Sequence, residues 1–304
     1  MKSQMTMRTW IALAATLLLW ASAFAGIRVG LRGYSPAQLA LFRFSVASLI
    51  LGIYATRSHF RRPRWRDVPR FALTGLVGIS LYNLALNSGE VAVSAGVSSL
   101  LIASAPIWVA LLSITLGERL TAFGWGGVLT SFAGVAMIAA GEGGGIHLSA
   151  PALLLAAAAF FSAIYIVMQK QLLRAYSALE VTTYSIWAGT VFLLPFGIGL
   201  GHAIHAAPLN ATLAIVYLGI FPAAIAFTAW AYALSHGPVN RISSFLYLVP
   251  VLALIIAWIW LGEVPRMMSL LGGAVALGGV VIVNVWGKTS SPTVTTTAPA
   301  KSVA

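Results

Sequence analysis

Six aromatic residues, Trp20, Tyr82, Trp108, Tyr165, Trp230 and Tyr247, fall deep inside apolar stretches of the chain rather than at their ends. Each combines a flat apolar face with an indole N–H or a phenol O–H. If these side chains converge, they form an apolar box with a few hydrogen-bonding groups, which suits a neutral or zwitterionic organic molecule. Asn83 follows Tyr82 and adds an amide, with Asn87 one turn on. Two serine pairs, Ser98-Ser99 and Ser243-Ser244, precede Pro106 and Pro250 by about two helical turns. Their hydroxyls either contact a ligand or let helices approach closely, and the sequence leaves both roles open.

Charge at depth is scarce. Arg43 is the clearest intramembrane charge, about two turns into its apolar stretch. It has three possible fates: snorkelling to the interface, pairing with a helix end or loop carboxylate, or meeting a substrate carboxylate. A carrier of phosphorylated substrates needs several such cations. Asp67, Glu90, Glu118, Glu142, Glu180 and Glu263 all fall toward the ends of apolar stretches. That placement argues against a carrier of organic cations and removes the obvious proton carrier.

Enzyme chemistry finds little support. The chain has no cysteine, which excludes disulfides, thiol nucleophiles and cysteine-ligated metals. The five histidines, His59, His147, His202, His205 and His236, lie mostly in connecting segments, and no HExxH occurs. Gly287-Lys288-Thr289 imitates the end of a phosphate-binding loop, but Ile282 stands where its first glycine belongs. The expectation is no cofactor, no metal and no catalytic residue.

The elements that must position these residues follow from composition. Of 304 residues, 60% are hydrophobic and 8% charged, against roughly 25% charged in soluble domains. Hydrophobic stretches of about 20 residues cross a bilayer. The chain accordingly reads as an all-α polytopic membrane protein with ten spans, at about 9–30, 36–56, 68–87, 93–116, 121–140, 150–170, 179–200, 210–234, 239–261 and 266–286. Ala21-Ser22-Ala23 has the look of a signal-peptidase site, but apolar residues continue beyond it, so the first stretch reads as a membrane helix. Pro36, Pro208 and Pro265 stand near helix starts, where the missing N–H costs nothing. Pro106 and Pro250 fall near mid-span, where each is expected to kink its helix and free the carbonyl of Ile102 or Leu246. Gly26 and Gly30 form a GxxxG whose expected use is packing within the bundle.

The net charge of +12 does not point to nucleic acid, because the basic residues are sorted by side. Arg57, Arg61, Arg62, Arg64, Arg66 and Arg70 share one loop. With the amino end inside, fourteen Lys and Arg face the cytoplasm and three face out. Both termini are then cytoplasmic.

An internal repeat organises the whole. Ser98-Ser99 through Leu116-Gly117-Glu118 matches Ser243-Ser244 through Leu261-Gly262-Glu263 at an offset of 145, with Tyr82 opposite Phe227 and Gly134 opposite Gly279. Two halves of five spans result, at 9–141 and 142–287, between a short amino terminus at 1–8 and a disordered tail at 288–304. An odd number of spans inverts the second half. Inverted repeats are a recurring architecture of secondary transporters, with the substrate held near the midplane. Glu118 and Glu263 are each expected to serve the helix that follows, started by Thr121 or Pro265.

At this point the sequence resembles the drug/metabolite transporter superfamily, specifically the EamA-type ten-helix exporters. The resemblance covers about residues 8–287. It rests on Leu19-Trp20-Ala21-Ser22-Ala23-Phe24, on Leu41-Phe42-Arg43-Phe44 and on the two Ser-Ser…Gly-Glu segments. It implies a central cavity lined mainly by spans 1, 3, 4, 6, 8 and 9, in a multi-pass protein of the bacterial inner membrane. It further implies export of small metabolites, with aromatic and neutral amino-acid exporters as the nearest subgroup. Partners are then a small-molecule substrate and the lipid bilayer, with a monomer as the working unit and a dimer still open. Drugs or purine-like metabolites remain alternative substrates, and an intramembrane lipid-processing enzyme is the alternative of another class.

Overall fold

The computed structural model describes residues 6–57, 60–115, 121–143, 149–236, 242 and 245–286. Among them the chain is helical, broken by short 3₁₀ and π turns, and holds no strand. Helix α1 (Met7–Gly30) starts where the Thr6 hydroxyl accepts the Thr9 N–H at 3.3 Å. Helix α2 (Pro36–Arg57) begins at a proline whose fixed φ suits a first turn. A 3₁₀ turn at Trp65–Asp67 leads into α3 (Val68–Gly75), a π turn (Leu76–Leu81) and α4 (Tyr82–Glu90). Then come α5 (Ala95–Ile102), α6 (Ala105–Thr115), α7 (Ala122–Gly143) and α8 (Ala150–Leu172).

Ser177 and Glu180 open α9 (Ala178–Leu193) with a reciprocal capping box. After it lie a 3₁₀ turn at Leu194–Gly197 and α10 (Leu200–Ala206). The eighth apolar stretch is α11 (Leu209–Leu218), a π turn (Gly219–Ile225) and α12 (Ala226–Ser235). A 3₁₀ turn at Phe245–Tyr247 enters α13 (Leu248–Leu261), and α14 (Met267–Trp286) closes the described chain.

Five of these stretches are long and apolar enough to cross a membrane: Met7–Gly30, Pro36–Arg57, Trp65–Glu90, Ala150–Leu172 and Leu209–Ser235. Ala178–Gly197 with Leu200–Ala206 makes a sixth if the bend of 81° between them is counted within one span. Shorter apolar helices complete a polytopic membrane protein.

Three expectations need correction. The seventh span does not run from 179 to 200 as one helix. Pro195, Gly197 and Gly199 interrupt it, and Gly199 takes φ +76°, which a residue without Cβ adopts freely. The proline kinks are not mid-helix kinks either. The helix breaks at Ala103-Ser104, just ahead of Pro106, and Pro250 follows the 3₁₀ turn at Phe245–Tyr247 that leads into α13. Both prolines sit in the first turn of the downstream helix, where they have no intrahelical hydrogen bond to delete. Glu263, thirdly, does not serve the helix after Pro265. It reaches across the molecule to the start of α5, where Ala95 N–H donates to its Oε2 at 2.8 Å. Glu118, Ser243, Ser244 and the tail at 288–304 lie outside the described residues.

Helix α1 runs through the centre, packed against α5, α11, α12 and α13. Its GxxxG serves the inside of the chain: a Cβ on Gly26 would lie 2.9 Å from Leu218, and one on Gly30 2.8 Å from Leu39. Helices α7 and α14 form the most extensive pair, with Gly127, Gly134, Gly272 and Gly279 bringing backbone against backbone.

Candidate functional site

A cavity of about 160 Å³ lies where α1, α2, α4, α5, α6, α8 and α12 meet the start of α13. Its position follows from how the surrounding helices are interrupted. The π turn at Leu76–Leu81 inserts an extra residue into the helical ladder just before Tyr82, a device often found at functional sites. The π turn at Gly219–Ile225 does the same before Phe227 and Trp230, and contains Pro222, which has no N–H to give. The Pro222 carbonyl accepts the Trp20 indole N–H at 3.2 Å and so fixes the ring at the cavity wall.

Trp20 packs edge-on to Phe227 at 5.3 Å and tilted against Trp230 at 5.4 Å between ring centres. Tyr165 meets the other side of Phe227 at 6.0 Å, and its hydroxyl accepts from the Gln169 amide at 2.9 Å. Gly78 is required here, because any Cβ would collide with the Tyr165 ring.

Of the residues expected at the site, Trp20, Tyr82, Ser99, Tyr165, Trp230, Tyr247, Pro250 and Arg43 line the cavity. The Ser99 hydroxyl turns back to the carbonyl of Gly96. Ser98, its neighbour, is buried elsewhere, with no partner for its hydroxyl among the described residues. Trp108 packs instead between Phe132 and Phe160, each at 5.3 Å, and Val109 takes the place on the wall. Asn83 is buried behind the wall, donating to the Ile79 carbonyl at 2.8 Å and accepting from Arg43 at 3.3 Å. Pro106 is described by its backbone alone.

Phe24, Gly78, Ser162 and Phe227 line the cavity without having been singled out. For Phe227 the signal was present, since it stands opposite Tyr82 in the repeat.

Polar clusters tie the two ends of the bundle. At one end the Arg28 Nε donates to Glu263 Oε1 at 3.1 Å, and its Nη1 donates to the carbonyls of Glu90 at 2.6 Å and Val91 at 3.1 Å. This joins α1, α4, α5 and the segment after α13. The Glu90 carboxyl nearby is fully buried, with neither oxygen hydrogen-bonded among the described residues. At the other end, Glu180 accepts the Arg61 N–H at 2.8 Å, and Tyr176 accepts the Arg64 N–H at 3.0 Å while donating to Asp67 at 2.8 Å. Burial pushes the Tyr176 phenol above its ordinary pKa, which keeps it a donor. Among the described residues no group of His, Asp and Glu is arranged to hold a metal.

The chain matches the model of the EamA-like transporter family twice, over residues 7–140 and 149–285. It belongs to that family. This EamA-like transporter is 46% identical over 274 residues to a protein of Streptantibioticus cattleyicolor named a probable terminal-alkyne amino-acid exporter, covering 90% of this chain and 92% of that one. It is 42% identical to the uncharacterized transporter YdfC of Bacillus subtilis, covering 90% of both. A solved structure 22% identical in sequence superposes with a TM-score of 0.63, covering 90% of this chain and 96% of the other, which shows the shared fold. The EamA-like transporter is therefore a membrane transporter and not an enzyme.

Proposed function

We propose that this transporter exports small neutral or zwitterionic metabolites, foremost amino acids with hydrophobic or aromatic side chains, by alternating access around the aromatic cavity. The wall itself carries the reading: rings from Trp20, Tyr82, Tyr165, Trp230 and Tyr247, with no aspartate or glutamate among the described lining residues. An organic cation finds no counter-charge there, whereas an apolar side chain stacks on the rings while O–H and N–H groups orient its polar end. A volume of about 160 Å³ is well below the roughly 300–1,000 Å³ of drug-sized sites and near that of a cavity that admits benzene. It favours a compact substrate over a bulky drug. The name of the Streptantibioticus relative supports the same substrate class.

The proposal takes the chain as ten crossings in two inverted halves, 9–141 and 142–287, with both termini on the cytoplasmic side of a bacterial inner membrane. Three observations support it. The family model matches once in each half. The π turn at Leu76–Leu81 recurs at Gly219–Ile225, and Pro106 and Pro250 each stand in the first turn of their helix. In this frame the Arg28–Glu263 cluster closes the outer end, the Glu180–Arg61 clasp holds the inner end, and the break before Pro106 and the 3₁₀ turn before Pro250 are the hinges. One chain encloses the cavity, which supports a monomer as the working unit.

Counterflow in proteoliposomes tests the reading, with vesicles loaded with one amino acid at a time and a proton gradient imposed or omitted. Exchange of labelled neutral amino acids is the expected result. If none of them exchanges while the purified protein remains monodisperse, the amino-acid assignment fails and purine-like metabolites or drugs take its place.

A further inference from the structure

Arg43 is the one cation among the described residues of the cavity wall, and its surroundings do not neutralise it. The residue is 3% exposed. A guanidinium carries five donors in a rigid fork, yet a single hydrogen bond to a side chain is formed, from Nη1 to the neutral Asn83 amide oxygen at 3.3 Å. Its Nε has no partner among the described residues, and the Phe44 ring lies 5.2 Å from its Cζ. Among the described residues the ion pairs are Arg28–Glu263 and Arg70–Asp67, so no carboxylate touches Arg43. The field of the buried Glu90 reaches it, without contact.

A structural arginine inside a protein normally ends on a carboxylate or on several carbonyls, because an uncompensated buried ion is strongly disfavoured. Asn83 shows that the neutral partner is built in. Its Nδ2 is held by the Ile79 carbonyl in the π turn, at 2.8 Å, which turns its oxygen toward Arg43. The amide orients the guanidinium and leaves the charge for an anion in the cavity. The forked donors of arginine match a carboxylate in two-point contact.

We infer that Arg43, positioned by Asn83, receives the carboxylate of the substrate, so that the transported class is defined by a carboxylate beside an apolar side chain. The inference rests on the amino-acid reading above and deepens it. The aromatic faces of the wall are then left for the side chain and for the ammonium group, which is attracted to ring faces.

The first test needs no mutation. In counterflow with a labelled neutral amino acid, its carboxyl amide and its decarboxylated amine should compete about tenfold more weakly than the amino acid itself, the scale of one lost charge-assisted contact. The deaminated carboxylic acid should keep most of its potency. Equal competition by amide and acid overturns the inference while the amino-acid reading stands; absence of any amino-acid exchange removes both.

Asn83→Asp supplies a second test. It places a carboxylate against Arg43 and should raise the half-saturation concentration about tenfold without lowering the melting temperature. A purely structural Arg43 would be held better by that aspartate, and unchanged transport in Asn83→Asp would refute the substrate role. Arg43→Gln should lose exchange, and is informative where size-exclusion shows the variant folded.

Discussion

The α7–α14 pair and the helices around the cavity are built from similarly apolar sequence, yet they differ in almost every structural respect. Helices α7 and α14 are unbroken over 22 and 20 residues. Their glycines let the backbones touch, and the buried Ser131 hydroxyl donates to the Ala276 carbonyl at 2.8 Å. The cavity helices are interrupted by two π turns and by the break at Ala103-Ser104, and α13 is entered through a 3₁₀ turn. They leave the Arg43 Nε, the Ser98 hydroxyl and the Trp230 indole N–H without protein partners, whereas no such atom lies on α7 or α14 among the described residues. Regular hydrogen bonding is kept where the bundle only has to hold together. It is given up around the cavity, since irregular backbone inside a membrane persists only against protein or a wet cavity.

The comparison can be broken most forcefully at Gly134. A Cβ there strikes the Ala276 backbone, and backbone cannot step aside. Gly134→Leu should abolish assembly of the pair, seen as loss of the monodisperse peak in detergent. A well-folded variant would mean that the two helices are not a spine.

Next in size is a pair of aromatic deletions. Tyr82→Ala removes a wall residue and should cut exchange about tenfold, the equivalent of roughly 1.4 kcal/mol, with folded yield preserved. Trp108→Ala removes a ring packed between Phe132 and Phe160. It should lower thermal stability by about 3 kcal/mol or more while leaving substrate affinity of the surviving protein near normal. If the two phenotypes are exchanged, the cavity boundary is wrong.

A smaller effect is expected at the Arg28–Glu263 cluster. Both side chains are partly exposed, so Arg28→Ala should cost no more than about 1 kcal/mol. Access is the better readout. Because the chain has no cysteine, a single Leu261→Cys beside this cluster reports directly on solvent entry. Thiol labelling should quicken when Arg28 is removed; an unchanged rate would show that the cluster does not restrain this end.

Pro250→Ala should do least. If the break is set by the preceding 3₁₀ turn, replacing a first-turn proline leaves helix geometry and transport almost unaltered. A marked change in either would restore the proline as the source of the bend.

Much of this was legible in the residues. The five stretches long and apolar enough to cross a membrane fall within a few residues of the spans read from the sequence, because length and apolarity are local properties. The span that went wrong, 179–200, failed where Pro195 and Gly199 permit the chain to turn within an otherwise apolar run. Glu263 was assigned to the nearest helix start in sequence, when its partner, Ala95, is 168 residues away.

The sequence by itself determined position along each apolar stretch: Trp20, Tyr82, Tyr165, Trp230 and Tyr247 stand away from the ends of theirs, and all five line the cavity. Tertiary structure decided direction. A helix turns about 100° per residue, so Trp108 points away from the cavity while Val109 faces it, and Tyr82 faces it while Asn83 stands behind. A π turn shifts that phase by one residue with no length signal to betray it. The charge of Arg43 was plain in the sequence, but whether it met a carboxylate, a lipid interface or an open cavity depended on which helices packed around it.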